Sequence, residues 1–185
     1  AFSNEIKQQT LDLIRQDLGK IDLLIYSLAA PRRIHPNSGK TYASVLKPIG
    51  EIYRNKTLDP MTGDIREVTL EPANEDEIAN TIAVMGGEDW EMWVDALRME
   101  GLLAENFLTL AYSYIGPELT HPIYKNGTIG KAKDHLQATA EKINESLVDL
   151  SGKALISVNK ALVTQASSAI PVVPLYMSLL FKIMK

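Results

Sequence analysis

The order of elements legible in the sequence predicts an α/β fold with a largely parallel sheet flanked by helices. Three observations carry this. Residues 21–29 form an apolar run, Ile21-Asp22-Leu23-Leu24-Ile25-Tyr26-Ser27-Leu28-Ala29, the signature of a strand buried on both faces. A helical stripe precedes that run and is joined to it by a short turn, which makes an αβ unit. Two more strand candidates, Phe107–Tyr114 and Ala154–Val163, are separated by a long helical pattern, as parallel neighbours require.

The elements follow in order. Ile6, Leu11, Ile14 and Leu18 space a helix over 4–18, with Ser3 to cap it and Gly19 to end it. After the first strand, residues 30–50 hold Pro31, Pro36, Gly39, Pro48 and Gly50 and read as one long loop. Residues 51–70 read as a hairpin excursion, Glu51–Lys56 and Ile65–Leu70 around Asp59-Pro60-Met61-Thr62-Gly63. Asn74 and Glu77 form a capping-box pattern before a short helix to Met85, stopped by Gly86-Gly87. Trp90, Trp93, Val94 and Leu97 then mark one apolar helix face, so both tryptophans read as core. The long helix runs from Gly127 to Leu150, with Gly152 as its C-cap. A small-residue loop, 164–170, leads to a final helix. The apolar stretch 169–181 is interrupted by Pro171 and Pro174 and is too short to span a bilayer. It reads as buried, the alternative being a membrane-surface role.

Composition bounds the function. Of 185 residues, 45% are hydrophobic and 23% charged, the balance of an ordinary globular domain. The net charge of −4 argues against a basic nucleic-acid binder. The absence of cysteine excludes a disulfide scaffold, a thiol nucleophile, an iron–sulfur cluster and a zinc finger. His35, His121 and His135 are too dispersed in sequence to suggest a histidine-rich metal site. Charge is uneven along the chain. Residues 61–120 carry 13 acidic against 2 basic side chains, while both flanking segments are mildly basic. The acidic third reads as a solvated helix face. The basic ends could instead line a site for a phosphorylated ligand. The sequence starts at Ala1 without a secretory or transit pattern, which reads as a processed or truncated piece of a cytoplasmic protein.

No Gly-x-Gly-x-x-Gly and no Walker A loop occurs in the chain, although a nucleotide-binding α/β domain normally opens with one. The most informative cluster is Tyr112-Ser113-Tyr114 at a strand end, followed by residues 120–133 with Tyr124 and Lys133. A phenol has a reference pKa of about 10. A nearby ammonium stabilises the phenolate and brings that value down, and the phenol can hydrogen-bond an oxyanion as it forms. The spacing alone is equally that of a half-buried tyrosine and a surface lysine.

The wider context discriminates. Tyr124 and Lys133 have the Tyr-(eight residues)-Lys spacing of the trans-2-enoyl-CoA reductases and FabV-type enoyl-acyl-carrier-protein reductases, which are related to the short-chain dehydrogenases. Segments 26–33, 46–50, 83–90 and 163–171 also resemble that family in order, so the resemblance covers essentially the whole chain. It implies a Rossmann-like fold, with this sequence as the central part of one NAD-binding reductase domain and 51–70 as a hairpin insertion. It also implies NADH-dependent reduction of the C2–C3 double bond of an enoyl-CoA or enoyl-acyl-carrier-protein, by a monomer. Tyr124 would be the proton donor, and Tyr114 would contact substrate near the thioester. Lys133 would hold the nicotinamide ribose and tune Tyr124. Leu28, Ala29, Leu162, Val163 and Thr164 would contact the cofactor. Ala1 would be the second residue of an Asp-Ala pair at the adenine end. The family's glycine-rich loop is not in this sequence, so these residues alone should bind NADH poorly.

Helix geometry adds a condition. Nine residues of regular helix advance roughly 13.5 Å and turn about 900°, which puts their side chains on opposite faces. Tyr124 and Lys133 can share a site only if the helix breaks around Asn126-Gly127 and Tyr124 folds back. His121 and His35 read as structural or supporting residues, with a general-acid role as the alternative. Arg32 and Arg33 could bind phosphates of a coenzyme arm or sit in a solvated or carboxylate-paired loop. Two competing functions remain: a short-chain dehydrogenase acting on a carbonyl, and a non-catalytic domain that docks through its apolar C-terminus.

Overall fold

The computed structural model describes residues 2–159 and 170–185. Helix α1 (Asn4–Asp17) leads into β1 (Ile21–Tyr26), and a small hairpin, β2 (Arg32–Ile34) and β3 (Thr41–Ala43), follows. A second hairpin, β4 (Tyr53–Leu58) and β5 (Ile65–Leu70), precedes α2 (Glu75–Met85) and α3 (Glu88–Met99). Then come β6 (Leu103–Ser113), α4 (Thr128–Ser146), β7 (Lys153–Val158) and α5 (Val173–Met184). Strands β1, β6 and β7 form a parallel sheet in that order. The predicted fold class and element order hold.

Local chemistry sets the boundaries. The Ser3 hydroxyl caps α1, and Gly19 ends the following turn at φ 73°, a conformation that costs glycine nothing. Asn74 and Glu77 close the expected capping box of α2, with Glu77 N donating to Asn74 Oδ1 at 2.8 Å and Asn74 N to Glu77 Oε2 at 3.1 Å. Helix α4 stops at Ser146, short of the predicted Leu150, and its last turn tightens into a 3₁₀ segment. The left-handed residue past it is Ser151, although Gly152 N does donate to Leu147 O.

One core lies between the sheet and α1, α3 and α4, and it includes Leu11, Trp90, Val94, Leu97, Phe107, Ala111, Leu136 and Ile143. Full burial of a side chain such as Phe107 or Leu97 contributes roughly 1.5–3 kcal/mol. Of the two tryptophans, Trp90 is fully buried, whereas Trp93 is half-buried beneath the Lys7 ammonium.

Four expectations need correction. Among the described residues β1 is an edge strand, and its outward residues Leu23 and Ile25 are 48% and 46% exposed; Ile21, Leu24 and Tyr26 pack on the core. The apolar run reads as doubly buried because both faces carry apolar side chains, but among the described residues only one face is covered. The predicted loop 30–50 contains the β2–β3 hairpin, because Pro36 and Gly39 fall in its turn instead of breaking a strand. Strand β6 starts four residues before Phe107. A register shift against β1 and a left-handed Asn106 (φ 59°) absorb the extra length as a bulge. Helix α5, expected to be buried, exposes Leu179, Phe181 and Ile183 and leans on β4. No helix among the described residues is long and apolar enough to cross a membrane.

The first turn of α3 ties the layers together. Lys7 of α1 makes a 2.5 Å ion pair with Asp89, both side chains being almost fully buried. The Tyr26 hydroxyl, on the last residue of β1, donates to the other oxygen of Asp89 at 3.2 Å. Removing one partner of a buried pair strands the other charge, which typically costs about 3–5 kcal/mol. Asp89→Asn should therefore lower unfolding free energy by about 3 kcal/mol in urea. Tyr26→Phe should cost about 1 kcal/mol, a single hydrogen bond. Equal effects from the two would show that the ion pair is not the dominant element.

Candidate active site

Strands β1 and β6 end on the same edge of the sheet, and the start of α4 faces that edge. Between them lies a cavity of about 280 Å³ lined by Leu28, Ala29, Met85, Tyr112, Ser113, Tyr114, Tyr124, Ile129, Ala132, Lys133 and Leu136. Five residues singled out from the sequence thus meet in one place: Leu28, Ala29, Tyr114, Tyr124 and Lys133. Ala1, Leu162, Val163 and Thr164 lie outside the described residues.

The break required between Tyr124 and Lys133 is present. Helix α4 begins at Thr128. Residues 118–126 form a 3₁₀ segment and successive turns, held by Tyr124 N to Thr120 O at 2.8 Å and Asn126 N to His121 O at 2.8 Å. Tyr124 folds back over the helix, and its ring meets that of Tyr114 edge-on at 5.6 Å. The Lys133 ammonium lies 5.7 Å from both ring centroids, within range of a cation–π interaction with each.

The electrostatics depart from the expected pairing. Burial, with the Tyr114 phenol as a smaller cause, pushes the Tyr124 pKa up instead of letting Lys133 pull it down. Lys133 shifts the other way, to about 8, because the same burial disfavours its charged form. At neutral pH the site therefore presents a protonated phenol beside a cation that is poised to lose its proton.

The residues 45–48 fix where α4 starts. Thr128 Oγ1 donates to Val45 O at 2.5 Å, Thr128 N to Lys47 O at 3.0 Å, and Thr81 of α2 bonds Val45 N through its hydroxyl at 3.1 Å. Lys47 also pairs with Glu77 at 2.5 Å. His121 bonds Gly116 O at 3.2 Å, which is a supporting role. His35 accepts from Asn37 N and Ser38 N within its own hairpin turn. Arg33 is buried, pairing with Glu88 at 2.5 Å and Ala83 O at 2.6 Å, so it is a structural residue and not a phosphate ligand. Arg32 stays exposed. Glu88 and Asp89 also depart from the solvated acidic face read from the sequence, since both are committed to cations.

Sequence reasoning missed Met85, Ile129, Ala132 and Leu136 as cavity walls. The helical spacing of the last three was legible, but it marks a core face as readily as a site. Met85 ends α2, and nothing in its local pattern points across to β1. No cluster of His, Asp or Glu suited to a metal ion occurs among the described residues.

The comparisons agree with the geometry. The family model described as trans-2-enoyl-CoA reductase catalytic region matches residues 1–185. The NADH enoyl-acyl-carrier-protein reductase of Flavobacterium johnsoniae is 67% identical over the whole chain, and the NADH trans-2-enoyl-CoA reductase of Ruminiclostridium cellulolyticum is 63% identical. The chain spans 47% of the length of each. The crystal structure of Treponema denticola trans-2-enoyl-CoA reductase in complex with NAD superposes with a TM-score of 0.92 at 54% identity, covering 99% of this chain and 45% of that one. By whole-chain match to its catalytic region, this chain belongs to the trans-2-enoyl-CoA reductase family.

Proposed function

We propose that the polypeptide carrying these residues reduces the C2–C3 double bond of trans-2-enoyl thioesters, enoyl-CoA or enoyl-acyl-carrier-protein, with NADH. The observation that carries this reading is the single cavity in which Leu28, Ala29, Tyr114, Tyr124 and Lys133 converge at the sheet's C-terminal edge. That edge is where doubly wound folds take nucleotides. The relatives' names include NADH and either enoyl thioester, and the solved Treponema denticola structure contains NAD.

The site fits the reacting end of the cofactor. About 280 Å³ accommodates a nicotinamide and the reacting carbons of a substrate, not a whole dinucleotide. Ala29 presents only a methyl group at the strand end, so backbone can approach a flat ring. The cofactor, when bound, supplies a hydride from nicotinamide C4 to substrate C3. Electron density then moves to the thioester oxygen as C2 becomes nucleophilic. The Tyr124 hydroxyl hydrogen-bonds that oxygen and supplies the proton that ends on C2, which completes the saturated acyl thioester; solvent then reprotonates the phenolate. The raised pKa of Tyr124 keeps it a donor throughout the neutral range. Lys133 would hold the nicotinamide ribose hydroxyls with its ammonium and offset developing negative charge nearby. Tyr114, packed edge-on against Tyr124, limits the pose of that ring and lines the substrate side. The reading extends to a cytoplasmic monomer whose reductase domain includes these residues as its central part. The exposed apolar face of α5 favours a second reading, a non-catalytic domain that docks through it.

In the complete polypeptide, Tyr124→Phe should lower kcat with crotonyl-CoA and NADH by two or more orders of magnitude, with NADH affinity within about threefold. A full rate would remove Tyr124 from the mechanism and favour the docking reading. Reduction of ketones in place of crotonyl-CoA would instead identify a carbonyl dehydrogenase.

The Lys133 shift gives a pH prediction. Its charged form persists below its value of about 8 and is lost above it. The kcat/KM for NADH, which reports the free protein, should therefore fall as pH rises from 7 to 9. Lys133→Arg, which stays charged, should abolish that fall whatever its absolute rate. The same decline in Lys133→Arg would assign the titration to another group.

A further inference from the structure

We propose that Gly130 is a positioning residue for Tyr124: its missing side chain is what allows the Tyr124–Lys125 backbone to lie against the first turns of α4 and so carries the phenol over Lys133. This rests on the reading of Tyr124 as proton donor. A Cβ placed on Gly130 would overlap the Lys125 carbonyl oxygen, and it would lie 2.6 Å from the Lys125 carbonyl carbon and 2.9 Å from the Tyr124 carbonyl oxygen. All three neighbours are backbone atoms, so no side-chain rotation relieves the overlap.

The geometry explains why the position matters. Lys133 is three residues after Gly130, on nearly the same face of the helix and roughly 4.5 Å further along its axis. The backbone of 124–125 rests at Gly130, and the Tyr124 ring extends from there to the Lys133 ammonium 5.7 Å from its centroid. Gly127, about a turn earlier, makes room in the same way for a different segment. Its Cβ would meet Ile123 O at 2.5 Å and Lys47 O at 2.6 Å, so it admits the strap that anchors α4. Gly127 also meets the peptide group that leads into Tyr124, whereas Gly130 meets the tyrosine's own carbonyl oxygen. Nothing in its conformation requires glycine, since it is helical with negative φ. Helix propensity alone would favour alanine there.

That contrast makes the test discriminating. In the complete polypeptide, a role confined to the helix predicts Gly130→Ala to be silent or stabilising. The positioning role predicts that kcat with crotonyl-CoA falls by about 10²-fold, as expected of an ångström-scale displacement of a reacting group. NADH affinity should stay within about threefold, because Lys133 remains in place on α4. In a Tyr124→Phe background the further loss from Gly130→Ala should shrink to within about twofold, since both substitutions remove one function. Ala138→Gly, exposed on the same helix, controls for a change of helix propensity and should leave kcat unchanged. A glycine inserted between Asn126 and Gly127 adds no side chain but frees the segment from its seat, and it should lower kcat to a similar degree.

Wild-type kcat in Gly130→Ala, a multiplicative loss in the Tyr124→Phe background, or wild-type kcat in the insertion variant would each overturn the positioning role. So would a Gly130→Ala protein that fails to fold, because the glycine would then serve the fold at large. If Tyr124→Phe alone keeps a full rate, the functional reading falls first, independently of any Gly130 result.

Discussion

The interaction on which the layers depend is the seating of the first turn of α3 against the end of β1. Trp90 is fully buried there, stacks on Tyr26 at 6.4 Å between ring centroids, and donates its indole N–H to Thr109 of β6 at 2.8 Å. The Thr109 hydroxyl in turn donates to Leu24 O at 3.1 Å, so one helix side chain links two neighbouring strands. Beside it, Asp89 gathers Lys7 of α1 and the Tyr26 hydroxyl, while Glu88 holds Arg33 of β2. A buried carboxylate is costly unless paired and hydrogen-bonded. Asp89 meets both conditions with partners from two different elements, which makes their relative placement a condition of its burial.

The site inherits this rigidity. Leu28 and Ala29 follow Tyr26 by two and three residues, so anchoring that tyrosine sets where the chain leaves the sheet. Strand β6 continues past the same edge to Tyr112 and Tyr114, and its pairing with β7 keeps it central. On the opposite wall, the strap of residues 45–48 clamps the middle of α2 and the start of α4 through Thr81 and Thr128. A cavity between two independently braced walls holds its groups at fixed separation, and positioned groups contribute most to a proton-transfer step.

Much of this was legible in the sequence because local chemistry decides it. The capping box at Asn74, the turn at Asp59–Gly63 and the Trp90 stripe each encode their own structure. The break at Asn126-Gly127 was also legible, since helix geometry forbids Tyr124 and Lys133 to meet without it. What was not legible depends on partners distant in sequence. Arg33 fitted a phosphate site or a carboxylate-paired loop equally until Glu88 and Ala83 were brought beside it. The bulge at Asn106 answers to the register of β1, not to its neighbours in sequence. Strand β1 misled because an apolar run records which faces are suited to burial, and among the described residues Leu23 and Ile25 meet solvent. The side of β6 that carries Tyr112, and Leu155 on β7, behave likewise, so the apolar pattern of the sheet asks for a second covering layer.

The opposite pKa shifts of Tyr124 and Lys133 share one leading cause and have one consequence. Burial penalises whichever form carries charge, so it holds the phenol neutral and loosens the lysine's proton. A phenol drawn down towards neutrality would already be partly ionised and a poorer donor. The ammonium, 5.7 Å from the ring centroid, adds positive potential to the site, while burial keeps the phenol protonated. The arrangement thus separates two tasks that the sequence motif merges, donation by Tyr124 and charge by Lys133. Pairs of groups whose environment drives their pKa values apart mark acid–base assignments in general. Here both groups share one buried cavity because the backbone of 124–125 folds back against Gly130.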